Sequence, residues 1–549
     1  MTDNFNSPKS RIVPMKLRDC TRFYEPVVLL ACLQNTYYCW DYSAEPTVSS
    51  GGSQEEIFYY FVNKFSLICD SGMGGATGTS FAVLQPGIVQ YRFASNSRTT
   101  KALEDVKAYI VDILKTIGCA AESVVNNPAP QSPLFSEVLQ KIIQFNRPRI
   151  EFYTRMAAIE IGICIERVSH QETDDTHAAS QDLSVLRPLI EFAARISRDD
   201  NAEFIAASQS VIYAIHSPYH SDSHSLREFI RYQAGVNCEG PKTSWRRLRH
   251  ALGRFHSYLN AVRVFFCACR LWPSLFVNFE VVSILSSEPD PRPLRIRTSA
   301  DGIFRRMTRD PDLINLYRNT APSLHALGLD ARIMHVAKHR TFKPVVHAEV
   351  LLDDSIRRSD RLDSLQGRKA SPFFSEGRFG RYIGSSKPTC HLCALYFAAR
   401  SVGADSVRVR ASHHRLYYNW RLPDVLENDD KEVELQRSAD LKRMIKALRN
   451  ETFTAIRSRL VLASHFDSDD SLSDTPLGNC DGATVTMAIP GRDDMNMAPL
   501  VGEALVRGEE AYSSTLSSTL RASPERSSCQ CRSNIESVPA YIDAQAARL

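Results

Sequence analysis

At 549 residues, with 43% hydrophobic and 23% charged residues, the chain has the make-up of a globular protein too long for one simple core. A formal net charge of +4 excludes a strongly polyanionic or polycationic class. Fourteen cysteines without a repeating spacing, behind the polar opening "MTDNFNSPKS", argue for reduced thiols in an intracellular protein, cytoplasmic or nuclear, without a signal peptide.

Residues 1–15 read as a disordered tail. Across 16–73, "EPVVLLACLQNTYYCW" and "QEEIFYYFVNKFSLICD" carry helical apolar spacing and are separated by the loop "SAEPTVSSGGS". Residues 74–98, "GGATGTSFAVLQPGIVQYRFASNSR", are Gly-rich and then β-prone on both sides of a Pro-Gly turn, which predicts a hairpin. From 99 to 330 the pattern is again helical, without a repeat. Its most apolar stretch, 261–285, carries Arg263, Arg270, Glu280 and Pro273, so it predicts a buried helix followed by another element, not a membrane span. Residues 286–302 are Pro- and Arg-rich and read as a linker or long loop. Residues 331–463 alternate strand-like and helix-like runs and end in a charged helix near 430–463, as an α/β unit would. Residues 464–549 lack periodicity and read as mostly disordered, with Cys529 and Cys531 in that tail. The earlier pair, Cys267 and Cys269, reads as core.

Two short motifs carry chemistry. In "KPVVHAEVLLDDSIRR", His347 and Glu349 stand two apart at the predicted start of a helix, a spacing that puts side chains on different sides. In "GRYIGSSKPTCHLCALYF", a strand runs through a small-residue loop into a helix that opens with Cys390 and Cys393. Cysteines three apart at a helix start point the same way and can share a metal, and the helix dipole favours their thiolates. One histidine and two cysteines make three ligands for zinc and leave a fourth position for water. Glu349 is then an acid beside the metal that need not bind it.

His-x-Glu, an intervening strand and Cys-x-x-C at the next helix form the signature of the zinc-dependent nucleic acid and nucleotide deaminases. Within that superfamily, "HAEVLL…YIGSSKPTCHLCALYF…SHHRLYYNWRLP" resembles the Orientia-type deaminase family, which is common in fungi. The matching motifs span about 345–423. The resemblance implies Zn2+ on His347, Cys390 and Cys393, with Glu349 as general acid/base. It implies an α/β fold, a cytidine deaminase-like three-layer α/β/α domain, here with a large mainly α-helical N-terminal or inserted region. The superfamily usually has proline directly before the first cysteine, whereas Thr389 here separates Pro388 from Cys390, which puts the loop shape in question. Such domains open with a hairpin whose second strand ends near a substrate-binding asparagine. On that pattern residues 79–96 join the deaminase sheet and Asn96 contacts substrate; the competing reading gives the hairpin to a separate N-terminal domain.

The stretch "RVRASHHRLYYNWRLP" offers His413, Tyr417, Tyr418 and Trp420 either as a wall that stacks on a base or as core packing. Between 357 and 421 there are 13 Lys/Arg against four Asp/Glu, a local bias that suits a phosphate-bearing partner. The reading is a hydrolytic deaminase acting on a nucleobase, C4 of cytosine or C6 of adenine, in a nucleotide or nucleic acid, RNA or DNA. No membrane partner is expected, and the oligomeric state is not readable. The alternative is a catalytically silent helical scaffold with a structural zinc site, whose fourth ligand would come from His391, His413 or His414.

Overall fold

The computed structural model describes residues 11–34, 53–119, 132–170, 173–219, 226–236, 244–293, 295–326, 328–338, 342–368, 372–374, 379, 381–401 and 406–466. Two sheets form among them. In the smaller, β1 (Ile12–Val13) pairs antiparallel with β7 (Val425–Leu426). Residues 11–15 therefore depart from the expected tail, because Ile12 and Val13 find backbone partners about 400 positions along the chain. The expected tail beyond 466, with Cys529 and Cys531, lies outside the described residues.

The larger sheet comprises β2 (Thr79–Leu84), β3 (Val89–Ser95), β4 (Phe279–Ile284), β5 (Tyr382–Ser385) and β6 (Arg408–Val409), in the order β4-β3-β2-β5-β6. β2 and β3 form the antiparallel hairpin, with Thr79 opposite Ser95 and Leu84 opposite Gln90. β2 also pairs antiparallel with β5, Ser80 opposite Ser385, while β3–β4 and β5–β6 are parallel. The hairpin and the Cys-x-x-C strand thus share one mixed sheet.

Every residue of β2 is buried, the mark of a central strand covered on both faces. Alternate side chains enter different cores. Phe81, Val83, Tyr91 and Phe93 face one, with Phe61, Phe65, Leu252 and Phe266. Ala82, Leu84, Ala94 and Ile383 face the other, with Val350, Leu392, Tyr396 and Trp420.

The helices in chain order are α1 (Leu17–Gln34), α2 (Gln54–Cys69), α3 (Thr100–Gly118), α4 (Pro133–Phe145), α5 (Arg147–Ser169), α6 (Asp174–Arg195), α7 (Asn201–Tyr219), α8 (Leu226–Val236), α9 (Ser244–Leu271) and α10 (Ser274–Val277). They continue with α11 (Ala300–Met307), α12 (Pro311–Ala326), α13 (Leu329–Lys338), α14 (Ala348–Leu365), α15 (His391–Arg400) and α16 (Lys431–Phe466). The chain is mainly helical with a mixed sheet.

Helix α2 starts on a capping box, Ser53 with Glu56, and lies on the first core face. It approaches β5 closely because Gly384 has no side chain: a Cβ there would come within 2.7 Å of Val62 and 2.9 Å of its backbone. Asn63 accepts from Tyr382 Oη at 3.0 Å and from Ser385 N at 3.1 Å, which fixes that approach. Helix α9 buries Leu248, Leu252, Phe255, Leu259 and Val262 at helical spacing. Through α9 and α2 the helical region from α3 to α10 forms one continuous core with the sheet.

Helix α1 is apolar on two sides. Phe23, Tyr24, Val27 and Leu30 enter the second core, while Val28, Leu29, Cys32 and Leu33 enter a third, with α11 to α13. Residues 286–302 are not a free linker: Ser287 Oγ accepts from Val346 N at 2.8 Å, and Asp290 N donates to Pro344 O at 3.0 Å. Among the described residues no helix is long and apolar enough to cross a membrane.

Candidate metal and active site

The site is built at two helix starts. His347 is the N-cap of α14 and Cys390 the N-cap of α15, both with extended backbone (φ −69°, ψ 152° and φ −72°, ψ 161°). Extended backbone there turns the side chain ahead of the helix end, where unpaired N–H groups and the positive end of the dipole favour anionic ligands. Cys390 Sγ accepts from Cys393 N at 3.4 Å, so the second cysteine comes round on the first turn. His347 Nδ1 lies 3.4 Å from Cys390 Sγ and 3.5 Å from Cys393 Sγ. The three ligand atoms lie within 4.8 Å of one another and could hold a metal ion.

Glu349 sits in the first turn of α14, buried beside the triad, where the His347 and Cys390 charges act on its carboxyl. The pair that looked awkward on a helix face is reconciled by the cap: His347 stands before the first turn and Glu349 within it. Burial raises the Glu349 carboxyl above the ordinary carboxylate range, against the pull of the His347 charge. Burial alone would also raise Cys390, but hydrogen bonding with Cys393 and the His347 charge bring it well below its ordinary value. Cys393 is raised well above, by burial and by the neighbouring Cys390. For His347 burial works downward, and the Cys390 thiolate more than offsets it.

Segment 411–421 holds both helix starts together. Thr389 N donates to Ala411 O, His413 N to Thr389 O and His391 N to Arg415 O, while Val345 N donates to Asn419 O and Arg421 N to Val345 O. To weave between them the chain turns at His414, a non-glycine residue with φ 56°. The loop ahead of Cys390, whose shape Thr389 had put in question, is thus pinned through Thr389 itself.

Of the expected substrate contacts, Tyr417 is 45% exposed, with its ring 6.3 Å from that of His347 and 5.7 Å from that of His413. His413 accepts from Arg415 N through Nδ1 at 3.0 Å. Both stand beside the triad. Asn96 is at the site by a different route: its Oδ1 accepts from Ala348 N at 2.7 Å and its Nδ2 donates to Gly75 O at 2.8 Å. His347 makes no side-chain cap bond, so Asn96 caps α14 in its place.

Of the two alternatives for this aromatic stretch, Trp420 takes core packing and not an open stacking wall. It is fully buried, and its indole N–H donates to Cys393 Sγ at 3.1 Å, so it works from behind the thiol. Its carbonyl accepts from Tyr24 Oη at 3.0 Å, which ties α1 to the site. Tyr24 had no signal in the sequence, because its α1 run reads as ordinary core. His391 turns away from the triad: its Nε2 lies 2.5 Å from Glu451 Oε2 on α16.

No curated protein and no solved structure matches the chain. Residues 346–424, which contain the triad, Glu349 and the clasping segment, match the model of the OTT_1508_deam-like deaminase family, a deaminase family of the cytidine deaminase-like superfamily.

Proposed function

We propose that the protein is a zinc-dependent hydrolytic deaminase of a nucleobase carried in a nucleotide or nucleic acid, and that its sheet is the core of a cytidine deaminase-like three-layer domain. The observation that carries this is Glu349, a buried carboxyl placed against a three-ligand metal cluster without being one of the ligands. A structural site calls for a fourth protein ligand and no spare acid. Among the described residues the cluster has three, with His391 engaged by Glu451.

The donor set fits zinc. Tetrahedral Zn2+, at about 2.0–2.1 Å from nitrogen and about 2.3 Å from sulfur, implies N···S edges of about 3.5 Å. The edges here are 3.4 and 3.5 Å. Zinc bound there supplies Lewis acidity that makes water a nucleophile near neutral pH. His347 and the two cysteines would hold it, and Trp420 donates to one of the sulfurs. Glu349 would take one proton from the attacking water and give it to the ring nitrogen. It would then take the second proton from the same oxygen, now on C4 of cytosine or C6 of adenine, and give it to the amino group, which leaves as ammonia. Tyr417 and His413 would form one wall for the base, beside His347, while Asn96 holds the start of α14.

The test is Glu349→Gln. Ammonia release from a panel of nucleosides, nucleotides and single strands should fall by at least 10³-fold or so, while metal analysis still finds one zinc per chain. Retained turnover would sink the assignment of Glu349. Cys390→Ser should lose both metal and activity.

A further inference from the structure

The loop 71–78, "SGMGGATG", runs along the rim of the site and is tied to both halves of it. Asn96 links Gly75 O to the start of α14, and Lys387, three residues before Cys390, donates its ammonium to Gly74 O. Residues 73–76 are exposed. Gly74 needs glycine for its φ of +81°. Gly75 does not: its φ is not positive, and a Cβ there would meet nothing within 4 Å. Neither backbone strain nor crowding within the described residues calls for glycine at 75, and the space in front of its backbone is open.

Cations gather behind this loop. Arg149 Nη1 lies 2.6 Å and Lys387 Nζ 3.6 Å from the same carboxylate oxygen of buried Asp70. Arg254 of α9 is half-buried, and among the described residues no carboxylate lies within ion-pair reach of it. It stands on the face of α9 shared by His250, one turn before it, and Tyr258, one turn after it; the His250 ring lies 5.4 Å from that of Tyr153, whose hydroxyl accepts from Arg149 Nε at 3.3 Å. Tyr258 is 1% exposed, and its hydroxyl has no hydrogen-bond partner among the described residues. One carboxylate thus serves two cations, and a third stands beside them without one. Clustered like charges at a partly dry, Gly-lined rim are unfavourable by themselves and favourable around an anion.

We propose that Lys387, Arg254 and the exposed backbone N–H groups of Gly74 and Gly75 form a phosphate subsite, which holds the phosphate of a nucleotide or strand whose base lies at the metal triad. The helical region thereby contributes directly to substrate choice, through α9. The inference rests on the deaminase reading for what lies at the triad, and on its own geometry for the phosphate.

The experiment uses the full chain bearing Glu349→Gln, with binding followed by anisotropy of fluorescein-labelled single-stranded RNA and DNA over a salt series. Arg254→Gln and Lys387→Gln should each weaken binding about tenfold. Each should also make the slope of log K against log salt shallower by about 0.7 for every phosphate charge that is no longer neutralised. Arg254→Lys should restore most of the affinity. Gly75→Ala should weaken binding with no change in melting temperature, and Lys101→Gln on α3 should change neither. Nucleoside 5′-monophosphates that displace the probe where nucleosides do not would identify a single phosphate as sufficient; displacement by strands alone would identify a nucleic acid backbone.

If Arg254→Gln and Gly75→Ala bind as the parent does with an unchanged salt slope, or if nucleosides compete as well as monophosphates, the subsite is overturned. A parent that binds no phosphorylated probe overturns it too. Binding that falls in these variants, while the chain with Glu349 intact deaminates no base, leaves the subsite standing and the deaminase reading refuted.

Discussion

At the scale of single residues, the site depends on groups that touch the ligands from outside. Trp420 is the sharpest case, because its indole N–H meets the Cys393 sulfur at 3.1 Å inside the core. Once a metal deprotonates Cys393, a hydrogen bond to its thiolate offsets part of the charge and orients the sulfur. Trp420→Phe keeps an aromatic ring there and removes only the N–H. Metal affinity measured by chelator competition should fall by about 10–100-fold, with the fold retained by circular dichroism. Unchanged affinity would show that packing, not the N–H, is what Trp420 supplies. The triad and Glu349 were legible because their information is local: two residues at a helix cap, and two cysteines one turn apart. Trp420 was not, since an aromatic among basic residues has the same sequence signature whether it faces a base or the interior. Asn96 was expected at the substrate; what the structure shows is its bond to Ala348 N, which joins positions 252 apart and which no local pattern encodes.

At the scale of elements, the end of α2 poses an electrostatic problem. Asp70 caps the C-terminus of α2, where the helix dipole disfavours a carboxylate, and its side chain is fully buried. Burial works to raise its acid range, yet Arg149 and Lys387 together bring it below the ordinary carboxylate value. The sign of the pH effect follows. A depressed folded-state value means that the contribution is complete above about pH 4, the unfolded range, and is lost as the pH falls through the folded value below that. Asp70→Asn should therefore flatten the acid limb of a urea-unfolding series between about pH 4 and pH 2. Near neutrality it should cost about 3–5 kcal/mol, since it leaves Arg149 buried without its counter-charge. A variant that unfolds in acid along the parent's curve would show that the acid limb belongs to other carboxylates. The same elements position the proposed phosphate rim, so the charge balance around Asp70 bears on stability and binding together.

At the scale of the whole molecule, helices were legible where apolar spacing persisted, as in α2, α9 and α16. Strand β4 was not, because the apolar run 275–285 satisfies a buried helix and a buried strand equally. Sheet order was least legible of all, since β2 meets β5 through pairs such as Ser80 and Ser385, 305 positions apart. That distance leads to a further prediction. The segment matching the deaminase family, 346–424, supplies β5 and β6, while the hairpin and β4 come from far upstream. Without them β5 is left with no antiparallel partner, Ala348 N with no Asn96, and Leu392, Tyr396 and Trp420 with neither Phe23 nor Ala82 in their core. A two-residue strand beside a four-residue one cannot form an independent sheet in water. A fragment covering residues 342–466 should therefore melt without a cooperative transition and bind zinc far more weakly than the full chain. Metal ligation closes a site only on a scaffold that already brings the ligands together, and here that scaffold is drawn from the whole described chain. A fragment that melts cooperatively with one tightly held zinc would mean that residues 342–466 carry the fold unaided and that the upstream strands only decorate it.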